Sequence, residues 1–223
     1  MINILRKKTG CFAGLMVILF LLLPVAVLSA EKDTLAEKRI AVIPFQKILP
    51  DEGSTMAVGP LGGGYTSGKI ERGAENVVEE YTVDKLREFK EVQIIPLEKV
   101  EAVYSRVAAE SLKTPLLSVL KKTGSELQAD VIAVGYVYRF TERVGYDFSA
   151  EHPASVVFEI YLLNVSDGST IWHGVFDKTQ KSLMADVFQA PSFFKGGAKW
   201  LTANQLAKQG IEEIFKTFSG FAR

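Results

Sequence analysis

Residues 130–177 constrain the fold most, because they read as three strands in succession. Residues 130–140 form the longest apolar strand pattern in the chain, and residues 154–165 form another. Ser166-Asp-Gly-Ser169 follows, a tight hairpin signal, and residues 170–177 return as the third strand. Strands joined this closely pair antiparallel, so the second half predicts an antiparallel meander.

The first half carries a different rhythm. Residues 39–46 (Arg-Ile-Ala-Val-Ile-Pro-Phe-Gln) are short, apolar and rich in β-branched side chains, a first strand with Pro44 marking an edge or bulge near its end. Residues 50–68, with Pro50, Gly53, Gly59-Pro60 and Gly62-Gly-Gly64, predict a loop. Ile70, Ala74, Val77, Val78, Tyr81, Leu86 and Phe89 trace one apolar stripe, a helix over residues 70–89. A short strand at 92–95 stops at Pro96, and helices follow at 97–109 and 115–127, the latter opened by Pro115. The chain closes with a helix over 202–218, where Thr202 and Gln205 form a capping box. The order β-α-β-α-α-β-β-β-α predicts a single α/β domain over 39–223. It is a mixed sheet with helices largely on one face, a C-terminal antiparallel meander and a closing helix.

The amino-terminal segment sets the address. Arg6-Lys7-Lys8 precede an uncharged apolar run at 11–28, Pro24 breaks it, and Ser29-Ala30 supply small residues for cleavage. Residues 1–30 therefore predict a secretory signal, with an uncleaved anchor as the alternative, and 31–38 a polar spacer. Either way the domain is delivered across a membrane, which it touches only through an uncleaved leader. The whole chain carries 26 basic and 26 acidic residues; without the leader 23 basic face 26 acidic, so no basic face for nucleic acid is implied. Cys11 is the only cysteine and begins the apolar run, where a lipidated cysteine would follow it. Its removal leaves no disulfide and no thiolate metal site.

The motifs with chemical promise fall short of it. Gly63-Gly-Tyr-Thr-Ser-Gly68-Lys69 fits the first seven positions of a phosphate-binding loop, but Ile70 stands where the Mg²⁺-holding hydroxyl belongs. About sixteen residues also separate it from the preceding strand, where the cradle needs a few. It reads as a glycine-rich surface loop, with a role as a lid or partner-ordered element open to it. His152 is expected on a loop and His173 on a strand beside Trp172, without metal-ligand spacing. Glu79-Glu80 and Glu212-Glu213 read as solvated helix faces. Tyr136, Tyr138 and Phe140 share one strand face by the period of two and read as core. Residues 183–200, with Phe188, Phe193, Phe194 and Trp200, are apolar for a loop, and are expected either to pack across the sheet or to form a partner surface.

Three stretches together resemble a family of bacterial envelope proteins. Lys38-Arg-Ile-Ala-Val-Ile-Pro-Phe45 resembles the family's opening strand. Leu127-Gln-Ala-Asp-Val-Ile-Ala-Val-Gly-Tyr-Val-Tyr-Arg-Phe140 resembles its central block. Tyr161-Leu-Leu-Asn-Val-Ser-Asp-Gly-Ser-Thr-Ile-Trp172 resembles its turn and returning strand. The family includes CsgG, LpoB and the amino-terminal domain of TolB, and the resemblance spans about residues 38–178. It implies a non-enzymatic periplasmic or envelope module without cofactor, binding other envelope proteins or copies of itself. The expected interaction surface is Gly62, Gly63, Gly64 and Tyr65 with Phe188, Phe193, Phe194 and Trp200. The competing expectations are a structural oligomer of the envelope and a hydrolase with a triad assembled from distant residues.

Overall fold

A computed structural model describes residues 37–111, 113–146, 149–180 and 200–221. The leader and the apolar residues 181–199 lie outside them. The chain enters as β1 (Lys38–Val42), whose pattern Ile40-Ala-Val-Ile43 is buried on both faces. Pro44 ends the ladder because it has no N–H to donate. The strand resumes for two residues as β2 (Gln46–Lys47), still beside the same neighbour. Pro44 falls beyond the β1–β5 pairing, which stops at Ile40, so this end of the strand is paired on the β6 side alone, as its sequence position suggested.

A separate hairpin follows, β3 (Met56–Val58) and β4 (Gly64–Thr66), within the stretch expected to be irregular. Helix α1 (Ala74–Arg87) starts four residues later than its apolar stripe suggested, because Ile70 bridges to Phe140 and Gly73 takes a left-handed conformation at the cap. Then come β5 (Val92–Ile94), α2 (Leu97–Glu110) and α3 (Leu116–Glu126). The second half is β6 (Val131–Thr141), a small hairpin β7 (Val144–Tyr146) and β8 (Ser149–His152), then β9 (Ser155–Asn164) and β10 (Thr170–Thr179). Helix α4 (Ala203–Ile214) closes the fold. Its capping box is formed in both directions between Thr202 and Gln205.

The main sheet runs β10-β9-β6-β1-β5, with β2 also on β6. The strands joined by helices, β1, β5 and β6, are parallel; β6, β9 and β10 form the antiparallel meander. This is a mixed α/β domain. Its helices cover both faces, not one. Val78, Leu86, Leu206 and Ile211 of α1 and α4 pack on Ile40, Val42, Phe158 and Ile160. Val100 and Leu120 of α2 and α3 pack on Ala41, Ile43, Ile132 and Val134 opposite. The expectation of helices largely on one face failed because β1, buried on both sides, needs cover on both. Among the described residues no helix is long and apolar enough to cross a membrane.

Candidate functional site

Between Ala154 and Leu163 the only charged residue is Glu159. It sits mid-strand in β9, fully buried. A carboxylate there must be hydrogen-bonded, since leaving it bare costs several kcal/mol or more. Four side chains meet it. One oxygen, Oε1, accepts a short hydrogen bond from the Tyr138 hydroxyl. The other, Oε2, accepts from Tyr65 and Tyr161, each at 3.0 Å, and lies 3.0 Å from His173 Nε2. His173 also stacks on Tyr161, with ring centres 4.0 Å apart and planes 8° from parallel.

Each partner arrives by a simple strand rule. Tyr161 is two residues along β9 and shares the face of Glu159. His173 is the cross-strand partner of Tyr161 on β10. Tyr138 comes from β6 by an irregularity: the β6–β9 register slips between Val137 and Arg139, leaving Tyr138 without an opposite residue. Such a bulge turns two consecutive side chains to one face. Tyr138 reaches Glu159, and Arg139 beside it donates to Ser155 Oγ, to the Thr66 carbonyl and to Asp177 at 2.7 Å. Phe140 is thereby thrown to the opposite face, into the core beneath α1, so Tyr136, Tyr138 and Phe140 do not share a face as expected.

Tyr65 comes from the β3–β4 hairpin, which lies across this face with Ala57 buried beneath it. Tyr65 packs against Tyr138, ring centres 4.7 Å apart. The glycines of the hairpin are there for close approach. A Cβ at Gly59 would overlap the Tyr138 hydroxyl and lie 2.6 Å from Glu159 Oε1. Gly63, at φ +83°, brings the backbone over Oε2, where a Cβ would sit 3.1 Å away.

The electrostatics follow the burial. Burial first, then the Glu159 carboxylate, pushes the Tyr65 and Tyr138 phenols far above their usual range. Tyr161 rises for the same two reasons, and Tyr136 mainly through burial. The phenols are therefore fixed as neutral donors. With both its oxygens engaged by neighbouring side chains, the carboxylate is committed to holding the fold.

Residues expected at a functional surface are redistributed. Gly62 and Gly63 take positive φ at the hairpin tip and Gly64 opens β4. Tyr65 points inward to Glu159 rather than out to a partner. Phe188, Phe193 and Phe194 lie outside the described residues, and Trp200, inside them, is half-buried. Residues 63–69 run along β4 and end five residues before α1, so they do not cap a helix as a phosphate cradle would. His152 ends β8 rather than lying on a loop, and His173 is on its strand as expected. Glu79 is not a solvated acid: it accepts the Phe45 N–H at 2.8 Å, and burial pushes its carboxyl up. Glu212 does face solvent and pairs with Lys85 at 2.8 Å. Among the described residues no group of three or more His, Cys, Asp or Glu is placed to hold a metal.

Glu159 itself escaped the sequence reading, which weighed adjacent acids and histidines. Its signal was present: one charge in the eight-residue run Val156–Leu163 that is otherwise apolar. A second feature lies at the other end of the sheet. It is a cleft of about 1010 Å³ lined by Lys38, Asp130, Asn164, Trp172, Phe218 and Phe221. Part of its polar lining is already used, Asp130 by the Arg39 N–H and Trp172 by Thr217.

Fold and site together define a mixed α/β domain with a buried carboxylate in its sheet, reached from the surface side by His173. No family model matches the chain, and no curated protein does. Among solved structures it is similar to a PelC dodecamer from Paraburkholderia phytofirmans, with 14% identity and a TM-score of 0.45 over 81% of this chain and 86% of that one. It is also similar to lipoprotein GNA1162 from Neisseria meningitidis, at 12% identity and TM-score 0.41, covering 76% and 96%. The LpoB C-terminal domain from Salmonella enterica is similar at 11% and 0.39, covering 65% and 84%. At this distance the likenesses carry nothing about activity or partners.

Proposed function

We propose that the chain is a non-enzymatic module of the bacterial cell envelope, exported to the periplasm, that works by binding other envelope proteins. The observation that carries this reading is the Glu159 cluster. The Glu159 carboxylate is fully buried and held by Tyr65, Tyr138, Tyr161 and His173, of which His173 alone is exposed. A catalytic acid or base needs a free position within hydrogen-bond reach of a substrate, and this carboxylate is occupied on both oxygens. Exposed apolar side chains are offered outward by Leu49, Met56 and Val58 around the β3–β4 hairpin, and by Val144 and Tyr146 on β7–β8, with Tyr146 83% exposed. The leader at 1–30 supports export, and the stretches at 38–45, 127–140 and 161–172 support the envelope family.

The test is photo-crosslinking in intact bacteria, with the crosslinking residue placed at Met56, Val58 or Tyr146 of the full chain. Discrete adducts with envelope proteins are expected. A chain recovered in the cytosol with its leader intact, or one that forms no adducts at any of the three positions, overturns the reading.

A second reading has its own observation. Strand β10 ends the main sheet and shows Ile171 and Val175 partly exposed, at 42% and 38%. An apolar edge strand favours association with another copy. Light scattering of the purified protein separates the two: a closed ring of copies favours self-assembly, a monomer the binding module.

A further inference from the structure

We infer that residues 49–67 form a lid that opens as a unit, hinged at Ile48 and Gly68 and latched to the sheet by Glu159 through Tyr65. Its backbone argues for independence. Ile48 donates to the Val137 carbonyl and Gly68 to the Tyr138 carbonyl, so both ends are stitched to β6. Between them, every backbone-to-backbone bond recorded among the described residues is internal. Ser54 bonds to Asp51, Gly59 to Gly63, Gly62 to Gly59 and Ser67 to Thr55, alongside the β3–β4 ladder. No main-sheet strand continues into this hairpin.

Side chains therefore hold the lid down, and they are few. Tyr65 donates to Glu159 and Arg139 donates to the Thr66 carbonyl at 2.9 Å, while the Tyr161 hydroxyl, whose proton goes to Glu159, lies 3.4 Å from the Gly62 carbonyl. The apolar contribution is modest: Ala57 is buried and Leu61 and Tyr65 pack partly buried against this face, while Met56 and Val58 are more than half exposed. A segment with limited buried apolar surface, whose backbone hydrogen bonds close on themselves, is the kind that opens below the free energy of global unfolding.

The bulge in β6 builds the fastening. By turning Tyr138 and Arg139 to the same face it supplies one group that braces Glu159 and another that grips the lid backbone directly. The two fastenings, Tyr65 to Glu159 and Arg139 to Thr66, match the closed state, in which Glu159 is fully buried. Opening would bare Tyr138, Tyr161 and Glu159, an acidic aromatic face of β6 and β9. The lid is a property of the fold and holds whichever compartment the protein occupies.

Native-state hydrogen exchange on the full chain tests it. An undocked two-stranded hairpin is marginal in water, so an open lid exchanges its amides. The Gly59 and Ser67 amides are expected to exchange by a route nearly independent of low urea, while β9 amides follow global unfolding. Tyr65→Phe removes only the hydroxyl that crosses from lid to carboxylate. It should speed exchange in 55–67 roughly 10- to 100-fold, as for loss of one hydrogen bond to a charged group, and leave β9 unchanged. Glu159→Gln should act in the same direction. Lid amides that share the rate and urea slope of β9 in the unsubstituted protein would overturn the inference. So would a Tyr65→Phe protein whose lid is no faster, or whose lid and β9 accelerate equally.

Discussion

The two faces of the main sheet are held by different physics. Under α1 and α4 the contact is dry: Phe158 stacks near Phe176 with ring centres 5.4 Å apart, and Trp172, Phe215 and Phe218 form an aromatic cluster beside them. On the opposite face α2 and α3 cover only part of the sheet. The rest is closed by a hairpin whose attachments are largely polar. Apolar burial is non-directional and tolerates local slack, whereas a buried carboxylate is stable only with its donors in place. The dry face should therefore set global stability, and the polar face should set which part of the molecule can move.

Four substitutions, and one titration with a fifth as its control, probe that contrast. Phe158→Ala empties the centre of the dry face and should cost about 4 kcal/mol, read as a lowered urea midpoint. Glu159→Ala strands three hydroxyls and an imidazole and should cost about 3 kcal/mol. If it costs clearly more than Phe158→Ala, the polar face carries the stability and the contrast fails. Gly59→Ala drives a methyl into Tyr138 and Glu159 and should cost about 2 kcal/mol, with the loss confined to lid amides in hydrogen exchange. Thr202→Ala removes one half of the capping box beneath α4 and should cost about 1 kcal/mol, without touching the lid.

The titration separates the faces by pH. The phenols of Tyr65, Tyr138 and Tyr161 are raised above their ordinary value of 10.0, so the unfolded chain releases those protons first as pH climbs. Their contribution is complete below about pH 10 and is lost as pH rises beyond it. Thermal unfolding followed from pH 8 to 11.5 should fall most steeply above 10. The fall should be shallower in Tyr138→Phe; an identical slope would remove the phenols from the account.

Much of the architecture was legible along the chain. The turn at residues 166–169, the Thr202–Gln205 box and the stop at Pro96 are local signals, and each element they bound is present. The helix begun too early at Ile70 shows the limit. Its apolar periodicity was real, but Ile70 is held by a bridge to Phe140, seventy residues away in the chain. The β3–β4 hairpin was hidden because its glycines, which signal loop by composition, serve close contact with Tyr138 and Glu159. Tyr138 and Phe140 were assigned to one face because a bulge leaves no trace in a period of two.

Local periodicity, turn chemistry and capping, acting over a few residues, determined which segments became strands and helices and in what order. That information is carried by near neighbours, so the sequence alone suffices for it. Only the tertiary structure decided that helices would cover both sides of the sheet and that Glu159 would find its donors on β4, β6, β9 and β10. A buried charge is satisfied by groups brought together from 65 to 173 in the chain, and no local rule encodes that meeting.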